Sequence, residues 1–104
     1  MKRPAESDLI VYAREAFRSA FKADPATSEV FVPGQSARAY GDDSRMATAR
    51  WRGETEYCCS VEIREAGDEW EGTAPSFTQA TVNAIDFRDS IRARRVADEA
   101  NWKA

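Results

Sequence analysis

The chain has 104 residues, a formal net charge of −3 and no histidine. Without histidine there is no Ser/His/Asp or Cys/His relay, no His-ligated zinc, and no side chain whose ordinary pKa lies near neutrality. Leu, Ile, Val and Phe supply only 16 residues, a scarcity that would favour disorder in a highly charged chain. The low net charge and the 11 aromatic residues predict instead one small folded domain over residues 1–104.

The two cysteines, Cys58 and Cys59, are adjacent, a spacing that suits neither a CxxC redox pair nor a zinc-ligand pair. We therefore expect two free, inert thiols. The longest apolar run has five residues and the start of the chain does not resemble a signal peptide. These features predict that the chain has no membrane span and that it is located in a reducing cytoplasm. We expect no cofactor, no metal ion and no enzyme activity.

The first predicted element is an amphipathic helix over about residues 8–23. Apolar residues recur on one helical face from Leu9 to Phe21, and charged residues occupy the opposite face. Ser7 is the expected N-cap, and Pro25 follows the predicted end. Residues 1–6 are expected to be frayed.

The middle of the chain predicts strands. Residues 30–32 form a short β-prone run ended by Pro33-Gly34, and residues 35–40 are expected to continue it as an irregular edge strand. Apolar and polar residues alternate in 46–52 and, most clearly, in 56–64. Residues 69–71 are a candidate short fourth strand.

The alternation predicts a register for the hairpin between residues 46–52 and 56–64. Residues directly opposite each other in an antiparallel pair point to the same side. Placing a three-residue loop at 53–55 keeps apolar residues opposite apolar residues. The expected pairs are Trp51 with Tyr57, Ala49 with Cys59, Ala47 with Val61 and, on the polar face, Arg52 with Glu56.

The last element is a long helix from Phe77 to about Asn101, with Ser76 and Gln79 as a reciprocal capping box. Its last three turns are expected to project beyond the core or to pack on a second subunit. The fold class is α+β, in the order α-β-β-β(-β)-α, with an antiparallel sheet packed on two helices. The apolar face of this helix is expected to contain Phe77, Ala80, Ala84, Phe87 and Ile91.

Residues 53–76 carry most of the negative charge, with seven acidic residues against Arg64. The predicted hairpin brings the acids together, and a concentrated negative field attracts basic surfaces and repels nucleic acid. An ordinary solvated sheet face is the alternative. The candidate partner-binding residues are Glu56, Glu62, Glu65, Asp68, Glu69, Trp70 and Glu71.

A basic stripe on the last helix offers an alternative site. Arg88, Arg92 and Arg95 share one face and could hold phosphates, or could form ordinary ion pairs on a solvated helix. Val96 and Trp102 lie on the same helix beyond the expected core. Leaving a Trp side chain in water forfeits about 2–3 kcal/mol of burial, so Trp102 is expected to dock either within the same chain or in a homodimer. Residues 92–104 are the candidate homodimer contact.

The order helix, strands, helix, with Gly72 and Ser76 forming a Gly-x-x-x-Ser element before the last helix, resembles the topology of double-stranded-RNA-binding domains over about residues 7–92. That family carries a Lys-Lys-x-x-Ala motif at the start of its last helix, where this chain has Phe77-Thr78-Gln79-Ala80. The resemblance therefore implies the fold without the basic motif. In general character the chain is also similar to small phage-encoded accessory proteins, including anti-CRISPR proteins.

The leading functional hypothesis is a non-enzymatic interaction protein whose acidic hairpin face binds a basic surface of a protein partner. Blocking a nucleic-acid-binding site of the partner, as a phage-type inhibitor would, is one natural outcome of occupying such a surface. A nucleic-acid-binding module that uses the Arg stripe is the alternative.

Overall fold

The structure, a computed structural model, describes residues 2–103. Helix α1 (Glu6–Phe21) is followed by a five-stranded sheet and by helix α2 (Phe77–Lys103). Each strand pairs antiparallel with the next, so the spatial order is the chain order. The predicted α+β class and element order are confirmed. The strands are β1 (Thr27–Val32), β2 (Ser36–Tyr40), β3 (Met46–Trp51), β4 (Cys59–Glu65) and β5 (Asp68–Ala74).

Both helices pack on the same face of the sheet. Helix α1 contacts β1–β3, and α2 contacts β4 and β5. Alanines in the sheet and on both helices are fully buried, so the helices approach the sheet closely and aromatic side chains fill the space between them. The buried alanines include Ala13, Ala16, Ala37, Ala39, Ala47, Ala49, Ala80 and Ala84.

Helix α1 begins at Glu6, two residues earlier than predicted. The predicted Ser7 cap is wrong, because Ala5 is the N-cap and no side chain bonds the first turn. The Glu6 carboxylate instead accepts a 2.8 Å hydrogen bond from the backbone N–H of Gly34. The start of α1 is therefore joined to the β1–β2 turn.

Residues 35–40 do not form an irregular edge strand. They contain β2, which pairs along its whole length with β3 and lies between β1 and β3. The chain reverses at Pro33-Gly34, where Gly34 has a φ of 70°, a value that glycine adopts without strain. The predicted single strand is therefore a hairpin, and β1, not residues 35–40, lies at this edge of the sheet.

The β3–β4 register is shifted by two residues from the prediction. Trp51 lies opposite Cys59 and Ala49 opposite Val61. The connecting loop is longer, closed by a 2.8 Å hydrogen bond from Arg52 N to Cys58 O. A two-residue shift leaves every side chain on its predicted face, because the side-chain period of a strand is two. Tyr57 is left in the loop, 61% exposed, and not in the core.

Helix α2 begins at the predicted cap. Ser76 Oγ accepts a hydrogen bond from Gln79 N at 3.2 Å, but the reciprocal half of the box is wrong because the Gln79 side chain bonds Asn83. The inward face also differs, since Phe87 is 50% exposed and Arg88 only 7%. Residues 92–102 are exposed along their whole length.

Candidate functional site

The seven predicted partner-binding residues do not share one surface. Along β4 and β5, Glu62, Glu69 and Glu71 point away from the helices, onto the open face of the sheet. Glu56 lies in the exposed loop between β3 and β4. Trp70 points the other way and is 4% exposed, opposite Ile63 in the core. Trp70 is therefore a core residue, and its predicted role as a contact residue is wrong.

The open-face acids are partly neutralised by arginines. Glu62 and Glu71 are directly opposite each other, a repulsive arrangement of like charges. Arg64 lies 3.1 Å from Glu62 and 2.9 Å from Glu69, and its hydrogen bond with Glu69 raises the pKa of its guanidinium. Arg52 lies 3.3 Å from Glu71. The predicted pair of Arg52 with Glu56 is replaced by this longer-range pair, because the register is shifted.

The acidic residues at the β4–β5 turn form ion pairs with the basic stripe of α2. Arg92 on α2 forms an ion pair with Glu65 at the end of β4, and its guanidinium lies 5.2 Å above the Trp70 ring. One turn further along, Arg95 Nη1 lies 3.2 Å from the Asp68 carboxylate. Four residues that the sequence assigned to two competing sites therefore join α2 to the β4–β5 turn.

The remaining member of the stripe, Arg88, is enclosed by the fold. Its Nη1 donates a 2.6 Å hydrogen bond to the carbonyl oxygen of Ala20, at the end of α1. Its Nε bonds Asp89 at 3.1 Å. Binding of one phosphate by all three stripe arginines would therefore require Arg88 to leave its contacts with Ala20 and Asp89.

Val96 and Trp102 are the most exposed large apolar residues of α2, at 67% and 85%. They are six residues apart, which places them about 120° apart around the helix axis. They therefore lie on two different faces of the projecting helix.

The sequence analysis did not identify a second group of polar side chains on the open face. This group lies on β2 and β3. Ser36 lies opposite Arg50, and Arg38 lies opposite Thr48. We call these four residues the Arg/hydroxyl block. Their positions follow from the strand alternation, but β2 was not predicted as a regular interior strand.

Two concave regions accompany these surfaces. A groove of about 120 Å³ lies between the helices and is lined mainly by apolar groups, among them Tyr12, Phe77 and Ile85. A polar cleft of about 350 Å³ lies at the end of β2 and β3, where Arg3 and Arg52 face the Gly34 and Gly53 backbone.

Cys58 and Cys59 are buried thiols that are not joined in a disulfide, and their sulfur atoms lie 3.5 Å apart. Burial, followed by the contact with Cys58, raises the pKa of Cys59 to about 12. This thiol is therefore protonated at neutral pH and is a poor nucleophile. Among residues 2–103, no three His, Cys, Asp or Glu side chains are grouped to hold a metal ion.

No protein-family model, curated protein or solved structure matches the chain. Neither α1 nor α2, as far as the structure describes them, combines the length and apolar character needed to cross a membrane.

Proposed function

We propose that this chain is a non-catalytic interaction protein that binds a basic surface of a protein partner. The surface proposed to bind, named here the acidic hairpin surface, consists of Glu54, Glu56, Glu62, Glu69 and Glu71. The observation that carries the proposal is a charge imbalance. Within residues 2–103, these five carboxylates form ion pairs with only two arginines, Arg52 and Arg64.

The unbalanced carboxylates lie where a partner can reach them. Glu54 and Glu56 are exposed in the β3–β4 loop, and Tyr57 beside them adds an exposed aromatic ring. Aromatic residues at the centre of an interface often supply much of the binding energy. The negative field around them accelerates the approach of a basic surface and repels the phosphates of nucleic acid.

We further propose that the basic surface of the partner binds nucleic acid. The chain would then inhibit the partner by occupying that basic surface. This is the mode of action implied by the resemblance to small phage-encoded accessory proteins, and it would operate in the cytoplasm. The protonated Cys59 thiol supports a binding role over thiol chemistry.

The experiment compares two triple charge reversals that change the net charge equally. The test variant is Glu54→Lys, Glu56→Lys and Glu69→Lys. The control is Glu15→Lys, Asp42→Lys and Asp86→Lys, three exposed positions outside the acidic hairpin surface. A partner captured from bacterial lysate is identified by mass spectrometry, purified and titrated by calorimetry against the wild type and both variants.

We expect the test variant to raise the Kd at least 10-fold and the control to change it less than 3-fold. We also expect the wild-type chain to displace nucleic acid from the partner. Equal affinity of the two variants would exclude the acidic hairpin surface. A salt-dependent mobility shift of duplex RNA or DNA by the chain alone, lost in Arg92→Gln with Arg95→Gln, would favour the nucleic-acid alternative instead.

A further inference from the structure

We propose that the Arg/hydroxyl block on the open face of the sheet binds a single phosphate group. The block consists of Ser36 and Arg38 on β2 and Thr48 and Arg50 on β3, as defined above. This site adjoins the acidic hairpin surface, because Thr48 lies opposite Glu62, but it does not depend on the function of that surface.

The first observation is that two guanidinium groups of the open face form no ion pair with a carboxylate of residues 2–103. The other arginines of the open face, Arg52 and Arg64, are ion-paired. Arg50 is partly buried, yet no hydrogen bond or ion pair to another of residues 2–103 holds its guanidinium. Arg38 likewise has no ion pair with a carboxylate in this part of the chain. A partly buried cation without a counter-charge is poised to accept an anion.

The second observation is an unused hydroxyl in the same row. Ser36 is 0% exposed, and its Oγ is the buried side-chain oxygen that lacks a hydrogen-bond partner in the described structure. Buried polar groups are normally satisfied, so an unsatisfied group points to a ligand or a functional role. Ser36 is the direct cross-strand neighbour of Arg50 and shares its face. Directly opposed residues on one face have Cβ atoms about 4.5–5.5 Å apart, so Ser36 and Arg50 are close enough to donate to one oxyanion.

Arg38 is held in a fixed position for this role. Its guanidinium carbon lies 3.4 Å from the centre of the Phe31 ring, and its Nε donates a 3.3 Å hydrogen bond to Thr48 Oγ1. Diagonal neighbours on a sheet are roughly 7–8 Å apart, so Arg38 and Arg50 can both contact one bound group. This preorganisation reduces the entropy lost on binding.

The geometry favours phosphate as the ligand group. Its tetrahedral oxygens accept donors from several directions, which suits two guanidinium groups with Ser36 between them, and Arg is the residue best matched to phosphate. The positive charges of Arg38 and Arg50, which form no ion pair among the described residues, also attract a phosphate dianion. A continuous nucleic-acid backbone is disfavoured, because Glu29 and Glu62 lie on either side of Arg38 and Thr48 in the same cross-strand row.

The polar cleft described above gives room for a substituent on the phosphate. Its lining includes Gln35, which directly precedes Ser36 at the start of β2, and Arg52, which lies two residues beyond Arg50 and just after the end of β3. The ligand class is therefore free phosphate or a small phosphate monoester.

The experiment is an NMR titration of the full chain at constant ionic strength. Sodium phosphate and, in a second arm, AMP are added while the Arg Nε–H signals and the Ser36 and Arg50 amides are followed. The test variant is Arg50→Gln, with Ser36→Ala as a second test. The matched control is Arg94→Gln, an exposed arginine of α2 without an ion pair in the described chain.

We expect saturable shifts confined to the block, a Kd at least 10-fold weaker in Arg50→Gln, and an unchanged Kd in Arg94→Gln. Ser36→Ala should weaken binding several-fold while leaving the folded spectrum intact. Tighter binding of AMP than of phosphate would support occupation of the cleft, and equal affinity would support recognition of the phosphate alone. Non-saturating shifts spread over all exposed arginines, or equal affinity of Arg50→Gln and wild type, would overturn the site.

Discussion

The guanidinium of Arg88 caps the opposite helix, because its Nη1 donates a 2.6 Å hydrogen bond to the carbonyl oxygen of Ala20. Ala20 is in the last turn of α1, where carbonyl oxygens have no partner within the helix. A positive charge at this position also interacts favourably with the helix dipole. Arg88 is therefore a structural residue that joins the two helices.

Arg88→Met tests this role, because Met keeps most of the apolar stem and removes the charged donor. We expect a loss of about 1.5–3 kcal/mol in the free energy of unfolding, the usual contribution of a hydrogen bond to a charged group. Urea denaturation measures it. The control Arg94→Met, at an exposed position, should change stability by less than about 0.5 kcal/mol. Equal stability of the two variants would contradict the capping role.

Gly72 is required by the close approach of β5 to α2. A Cβ atom at this position would lie 2.3 Å from Ala80 O and 2.4 Å from Ala84 N. Both atoms are backbone and cannot rotate away, so Gly72→Ala must separate the strand from the helix. We expect a destabilisation of about 1–3 kcal/mol, as for other overpacked sites. Thermal unfolding measures the change, and the neighbouring control Thr73→Ser should have a Tm close to that of the wild type. A Gly72→Ala variant as stable as the wild type would contradict the requirement for glycine.

The ion pairs of Arg92 with Glu65 and Arg95 with Asp68 should restrain the projecting part of α2. Removing both carboxylate charges by Glu65→Gln and Asp68→Asn should lower global stability by only about 0.4–2 kcal/mol, because exposed pairs contribute little. Hydrogen exchange of residues 92–101 should accelerate more than exchange of the sheet. Asp86→Asn, an exposed change on the same helix, is the control. Unchanged exchange in the double variant would show that the pairs do not hold the helix.

The raised pKa of Cys59 predicts a loss of stability at alkaline pH. The thiol of the unfolded chain ionises near pH 9, whereas the folded thiol stays protonated up to about 12. Between these values the unfolded state binds fewer protons, so the free energy of unfolding falls as pH rises. The stability difference between wild type and Cys59→Ala should therefore shrink from pH 8 to pH 10.5. A constant difference would contradict the raised pKa.

The predicted dimer contact is testable at Trp102, whose side chain is 85% exposed. Truncating it in a monomer removes almost no burial, so Trp102→Ala should change the free energy of unfolding by less than about 0.5 kcal/mol. If residues 92–104 join two copies, light scattering gives a mass that increases with concentration for the wild type and not for the variant. Val96→Ala tests the second exposed face separately. A monomer mass for the wild type at every concentration would exclude the dimer.

The sequence was sufficient for the features that depend on local periodicity. The position of α1, the Ser76 cap of α2 and the inward faces of β3 and β4 all follow from apolar spacing and one side-chain hydrogen bond. The alternation could not distinguish registers that differ by two residues, because such registers place every side chain on the same face. The actual register was decided by the longer 53–57 loop, and it moved Tyr57 from the expected core to the surface.

The acidic hairpin residues and the basic stripe were both visible in the sequence, but their relationship was not. Local spacing indicates only which charges share a strand or a helix face. The pairing of Arg92 with Glu65 depends on where α2 crosses the β4–β5 turn, and the enclosure of Arg88 depends on where α1 ends. Contacts between residues distant in sequence are set by the packing of whole elements. The amino-acid sequence by itself therefore determined α1, the start of α2 and the buried faces of β3 and β4. The tertiary structure decided which charged groups are engaged within the fold and which remain exposed.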